Sequence, residues 1–172
     1  RYATIKRIAV SPQKSKKLYK GLTAKDLLNE ITKRTIEIQN NSSKILKSIK
    51  SELKNENIFF INEKSIPSIH KQKIFSFFSE KILPQMDVII FDKSNSFPIF
   101  KDSNSFLIVK IQTKVESVMY ALIKIPEQIN RFFVIDESEK KYVIFIDDII
   151  RYHLKDIFKI FSPKKIFAFN IK

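Results

Sequence analysis

Phe106-Leu107-Ile108-Val109-Lys110-Ile111-Gln112-Thr113, then Lys114-Val115-Glu116, then Ser117-Val118-Met119-Tyr120-Ala121-Leu122-Ile123-Lys124-Ile125 closed by Pro126, is the stretch on which the fold turns. Branched and aromatic residues dominate both runs, and only three residues separate them. That pattern predicts two strands joined as an antiparallel hairpin, although the turn lacks Asn-Gly chemistry. Outward from it lie further short apolar runs of strand length. Met86 to Phe91, Arg131 to Ile135, Tyr142 to Ile146 and Ile166 to Ile171 read as strands, and Asn57 to Glu63 as a short buried strand. Asp92 to Ser105 reads as a polar loop around Pro98.

Helical spacing interrupts this strand-rich half twice. Ser65 with Pro67 opens a helix that ends at Pro84, with Ile69, Ile74, Phe77, Phe78 and Ile82 on its apolar face. Asp147-Asp148 opens a second through Phe158, with Ile149, Ile150, Leu154, Ile157 and Phe158 inward. Upstream, Thr23 and Asp26 form a capping-box signal. From there Leu27, Leu28, Ile31, Thr35, Ile38, Ser42, Ile45, Ile49 and Leu53 follow 3-4 spacing. A helix of roughly 30 residues, about 45 Å long, results, with Asn40-Asn41-Ser42-Ser43 as its weak point. Ser11 to Gly21 is a loop, and Arg1 to Val10 the tail of an element cut off upstream. Helices packed on a mostly antiparallel sheet define the class as α+β.

Composition narrows the chemistry. The single glycine, Gly21, excludes a Walker loop, a kinase glycine loop and a dinucleotide fingerprint, all of which need glycines to bring backbone N–H groups onto phosphate oxygens. The absence of cysteine removes disulfides and thiolate sites. His70 and His153 lie on different helices with no ligand partner at metal spacing, so each reads as a surface or packing residue. Adjacent helical residues point about 100° apart, so Asp147 and Asp148 are poorly placed to share one site and read as helix-capping groups.

The net charge of +14 is concentrated in residues 1–54. Only five of 32 basic residues are arginine, and a lysine-rich surface suits a polyanion met without fixed geometry, or an AT-rich codon bias. Its densest group is Lys14, Lys16, Lys17 and Lys20, the candidate polyanion-facing loop. The narrow stripe bearing Ile31, Ile38 and Ile45 is the candidate association surface. Lys165-Ile166-Phe167-Ala168-Phe169 partly echoes the aromatic strand of RNA-recognition domains. The glycine after the first lysine is missing and Lys172 stands where a further aromatic belongs, so the run reads as a strand alternating Phe into a core, and nucleic acid is not expected as a partner. No transmembrane run or signal peptide is present in the sequence, and both ends read as cut.

Three stretches, taken together, resemble the middle domain of the long, histidine-phosphorylated bacterial polyphosphate kinases. They are Ile58 to Glu63; Tyr120 to Pro126 followed by Asn130-Arg131-Phe132; and Asp147-Asp148-Ile149-Ile150-Arg151-Tyr152 followed by Leu154, Asp156-Ile157-Phe158 and Phe161. Arg1 to Lys6 resembles the end of the family's N-terminal helical domain, which sets boundaries of 1–10 for that tail and 11–172 for the middle domain. The resemblance implies an enzyme that reversibly transfers the terminal phosphate of ATP to polyphosphate with magnesium, through a phosphohistidine carried by C-terminal domains absent from this sequence. It implies no catalytic, cofactor or metal residue here. For this segment it implies dimerisation and a wall of the polymer tunnel, with Asp147, Asp148, Arg151 and Tyr152 packing domains together. It also implies a cytoplasmic enzyme with peripheral contact to the inner membrane. The alternative is a free-standing basic module binding nucleic acid or acidic phospholipid.

Overall fold

A computed structural model describes residues 2–12, 17–91, 105–113 and 118–171. The chain divides into two compact units, Arg1–Asn55 and Glu56–Lys172. The first unit opens with helix α1 (Tyr2–Ala9). Strands β1 (Lys17–Tyr19) and β2 (Leu22–Thr23) then pair antiparallel. This hairpin replaces part of the expected loop. Lys20 and Gly21 form its two-residue turn with φ of 48° and 77°, the left-handed pair that matches strand twist. A Cβ on Gly21 would meet nothing within 4 Å, so the backbone angle alone favours glycine there.

Helix α2 spans Ala24–Asn55. Its capping box is formed: Asp26 N–H donates to Thr23 Oγ1 at 3.3 Å, and Thr23 N–H to Asp26 Oδ2 at 3.3 Å. The helix runs unbroken through Asn40 to Ser43, against the expected weak point. Ser43 Oγ donates to the Gln39 carbonyl at 2.8 Å, so its hydroxyl bonds one turn back instead of capping a new end. Only Ala24 is buried along all 32 residues of α2.

The second unit holds the core. Strand β3 (Ile58–Ile61) leads to a 3₁₀ turn (Ser68–His70), helix α3 (Lys71–Phe77), a π turn (Phe78–Ile82) and a closing 3₁₀ turn (Leu83–Gln85). Ile74, Phe78 and Ile82 are buried as expected, but Ile69 is 78% exposed. The tighter 3₁₀ entry rotates it off the α-helical stripe, and His70 takes the buried place at 3% exposure. Strands β4 (Asp87–Phe91), β5 (Phe106–Thr113), β6 (Val118–Lys124), β7 (Phe132–Asp136) and β8 (Lys141–Phe145) follow. Helices α4 (Ile146–Tyr152) and α5 (Leu154–Ile157), a 3₁₀ turn (Lys159–Phe161) and β9 (Pro163–Ile171) complete the unit.

The expected hairpin is β5–β6, in register from Phe106 opposite Lys124 to Gln112 opposite Val118. It forms the middle of a four-stranded antiparallel sheet ordered β4-β6-β5-β9, beside a three-stranded sheet ordered β3-β8-β7 in which β3 and β8 run parallel. The expected turn at Lys114 to Glu116 and most of the Asp92 to Ser105 loop lie outside the described residues. Leu107, Val109 and Ile111 of β5, Ala121 and Ile123 of β6, Ile144 of β8, and Ile149, Ile150 and Phe158 beyond it join one core.

Two further expectations about this half are corrected. The helix from Asp147 to Phe158 is broken at His153, whose φ of −95° and ψ of 11° leave the helical region. His153 Nδ1 lies 2.9 Å from Asp156 Oδ2 and its ring stacks on Phe78 at 4.2 Å, interactions that hold the ring and leave two short helices. In β9 the alternation has the opposite sense to the one expected. Ile166 and Ala168 pack against the core, whereas Phe167 and Phe169 are 49% and 64% exposed.

Candidate functional site

The three quoted stretches, distant in sequence, converge on the start of α4. Asp147 and Asp148 fall in its first turn, a position favoured for carboxylates by the helix dipole. No side-chain cap bond forms at this helix end, so capping in the strict sense is not their role. Arg151, one turn on, reaches both: Nη1 lies 2.5 Å from Asp148 Oδ1 and Nη2 lies 3.4 Å from Asp147 Oδ2. The pair therefore does share one site, against the expectation from the 100° offset. Arginine is long and forked, so residues three and four positions back can meet the same guanidinium.

Other elements complete the cluster. Arg131, just before β7, lies 3.2 Å from Asp147 Oδ1. Asn170 of β9 donates from Nδ2 to Asp147 Oδ2 at 2.9 Å and accepts from Arg151 Nη2 at its Oδ1. Glu63, two residues past β3, meets Asp148 carboxyl to carboxyl. The Asp147 side chain is 8% exposed, Asp148 15% and Arg151 18%. Burial, the largest influence, together with the neighbouring Asp147 and Glu63 carboxylates, raises the Asp148 pKa from 3.8 to about 6, against the lowering effect of Arg151.

Both imidazoles are buried packing groups. His70 is 3% exposed, 4.5 Å from the Tyr142 ring, with Nε2 3.6 Å from Glu137. His153 is likewise 3% exposed. The Asp147 and Asp148 carboxylates face arginines, and among the described residues no group of three or more His, Cys, Asp or Glu is placed to hold a metal ion. No helix of the described residues is long and apolar enough to cross a membrane.

Of the candidate polyanion residues, Lys17 lies on β1 and Lys20 in the hairpin turn, both exposed, while Lys14 and Lys16 lie outside the described residues. Along α2, Ile31 is half-buried, and Ile38 and Ile45 are 66% and 60% exposed. Glu63 reads in the sequence only as the end of the first stretch, with no role, and Asn170 is not singled out there. Asn170 carries no local signal, because its partners Arg151 and Asp147 stand 19 and 23 residues away.

The fold and the site thus define an α+β unit in which residues from the three stretches meet in one ion cluster. Comparison with known proteins gives the family. Residues 70–172 match the family described as polyphosphate kinase middle domain, and the chain belongs to that family. It is 28% identical over 150 residues to the polyphosphate kinase of Staphylococcus saprophyticus, covering 87% of this chain and 21% of that protein. The Vibrio vulnificus polyphosphate kinase is 25% identical over 141 residues, covering 79% of this chain and 20% of that one. The crystal structure of the polyphosphate kinase from Porphyromonas gingivalis superposes with a TM-score of 0.74 at 22% identity, over 84% of this chain and 23% of the other, and bears out the α+β fold. The chain spans about a fifth of the length of the curated relatives it matches.

Proposed function

We propose that this chain is the middle part of an enzyme that reversibly transfers the terminal phosphate of ATP to polyphosphate, and that it contributes architecture while other domains supply the chemistry. The observation that carries this reading is the family match, together with the placement of its diagnostic residues in a closed ion cluster. ATP, magnesium and the phosphohistidine then belong to the remaining domains. Residues 1–10 would end the N-terminal helical domain and 11–172 form the middle domain, in a cytoplasmic enzyme with peripheral contact to the inner membrane. Lys14, Lys16, Lys17 and Lys20 would face the polymer.

Incubated with labelled ATP, magnesium and polyphosphate, this chain is expected to bind the polymer weakly and to transfer no label. Binding should fall steeply with salt, because each neutralised phosphate releases counterions. Glutamine at all four lysines should lower affinity and flatten the salt slope. Stoichiometric label on His70 or His153 would sink the reading.

The exposed stripe of α2 supports a role in homo-oligomer formation. Ile31, Ile38 and Ile45 recur every seven residues, the spacing of a helix–helix seam. Ile38→Glu is expected to shift the full enzyme from dimer toward monomer in sedimentation. An unchanged dimer with lower stability would show that another part of the polypeptide covers the stripe.

A further inference from the structure

The outer face of the four-stranded sheet carries a feature that the proposed kinase role does not use. Cross-strand partners share a face of a sheet, and successive residues alternate between faces. Phe167 of β9 pairs with Lys110 of β5, which pairs with Tyr120 of β6, which pairs with Phe91 of β4. Phe91 and Tyr120 stack at 5.9 Å. One step along, Phe169 stands opposite Ile108, and one step the other way Lys165 stands opposite Gln112. On this face Leu122 and Phe106 are buried, Phe167 and Phe169 of β9 are 49% and 64% exposed, and Ile89 of β4 and Val118 of β6 are 46% and 38% exposed. Lys110 and Lys165 beside them are both exposed.

Two solvent-facing rings on one strand are costly to leave uncovered, and their neighbours say what covers them. A protein partner would meet lysines where interface cores are depleted of them. A strand of alternating anions and flat apolar rings would satisfy both groups at once. Side chains at 167 and 169 stand about 6.7 Å apart at two residues' rise, room for one base between the rings or for successive unstacked bases above them. No carboxylate lies in the rows of Phe167, Phe169 or Lys165, and residues 55–172, which include this sheet, carry a net charge of +4. We infer that Phe167 and Phe169, flanked by Lys110 and Lys165, form a stacking platform for single-stranded nucleic acid. Aromatic rings on an exposed sheet face are the means by which such sheets stack unpaired bases.

The test is anisotropy of an oligo(dT) of about ten nucleotides, within the site size of one such sheet, titrated with the 172-residue chain at low and moderate salt, with polyphosphate of similar charge in parallel. Polyphosphate has no bases, so it separates stacking from charge. Phe167→Leu and Phe169→Leu should each weaken oligo(dT) binding about 5- to 150-fold and leave polyphosphate binding unchanged, while Phe→Tyr at either position preserves both. Both rings are exposed, so unchanged thermal midpoints are expected and serve as the control for folding. Absence of oligo(dT) binding at low salt overturns the inference. So does equal loss of both ligands, or binding indifferent to leucine. If tyrosine and leucine are both tolerated and Phe→Asp at 167 and 169 instead dissociates an oligomer in sedimentation, the face is a protein interface and the platform is refuted.

Discussion

Replacing Arg151 with methionine is expected to destabilise the chain by about 3–5 kcal/mol, the cost of leaving buried charge without its partner. Arg151 is 18% exposed and meets Asp147, Asp148 and Asn170 together. Methionine fills a similar volume, so the loss measures charge and hydrogen bonding more than packing. Arg131 would remain beside Asp147, whereas Asp148, beside Glu63, would lose its arginine. Lysine at 151 should rescue only part of the loss, since one ammonium cannot reproduce the forked contact with two carboxylates and an amide. Urea unfolding of the two variants beside the parent chain gives the difference directly. A loss under about 1 kcal/mol would put the cluster in the class of hydrated surface pairs and remove the architectural role assigned to it.

The same cluster sets a pH dependence of opposite sign to the common carboxylate case. The folded-state pKa of Asp148 is raised from 3.8 to about 6 by burial and by Asp147 and Glu63, so the folded chain holds its proton more tightly than the unfolded chain does. Ionised Asp148 therefore costs stability. That cost is fully present above about pH 6 and is relieved as pH falls through 6 toward 3.8. Asp148→Asn keeps the shape and removes the charge. At pH 7.5 it should stabilise the chain by on the order of 1–2 kcal/mol, with the advantage shrinking toward zero as pH drops to about 4. Other groups titrate in this range, so the pH profile of the difference between parent and variant is the quantity to measure. A difference that is flat with pH, or an Asn variant weaker than the parent at pH 7.5, would contradict the assignment.

Much of the fold was legible because its signals are local. The β5–β6 hairpin follows from two apolar runs and a short gap, whatever the rest of the chain does. The start of α2 follows from Thr23 and Asp26, which satisfy each other's backbone groups without outside help. The misreadings came where a local rule met a specific contact. His153 ends a helix that periodicity would continue, because its ring is held by Asp156 and Phe78. Ile69 has the right spacing for the core, but a 3₁₀ turn carries it out of phase with the α-helix that follows.

By itself, the sequence determined the α+β class, the long capped helix, the lack of a glycine-rich phosphate loop, and a likeness to the polyphosphate kinase middle domain that the family match bore out. Each depends on residue type and short spacing, which backbone sterics and hydrophobic period convert into structure directly. Tertiary structure alone decided two things. One is that Glu63, Arg131, Asp147, Asp148, Arg151 and Asn170 form one cluster, since parallel pairing of β3 with β8 and the return of β9 bring together residues up to 107 positions apart. The other is the sense of β9. An alternating run of Ile166, Phe167, Ala168 and Phe169 offers either parity to the core. The pairing of Ala168 with Val109 and of Phe167 with Lys110 turned Ile166 and Ala168 inward and both phenyl rings toward solvent.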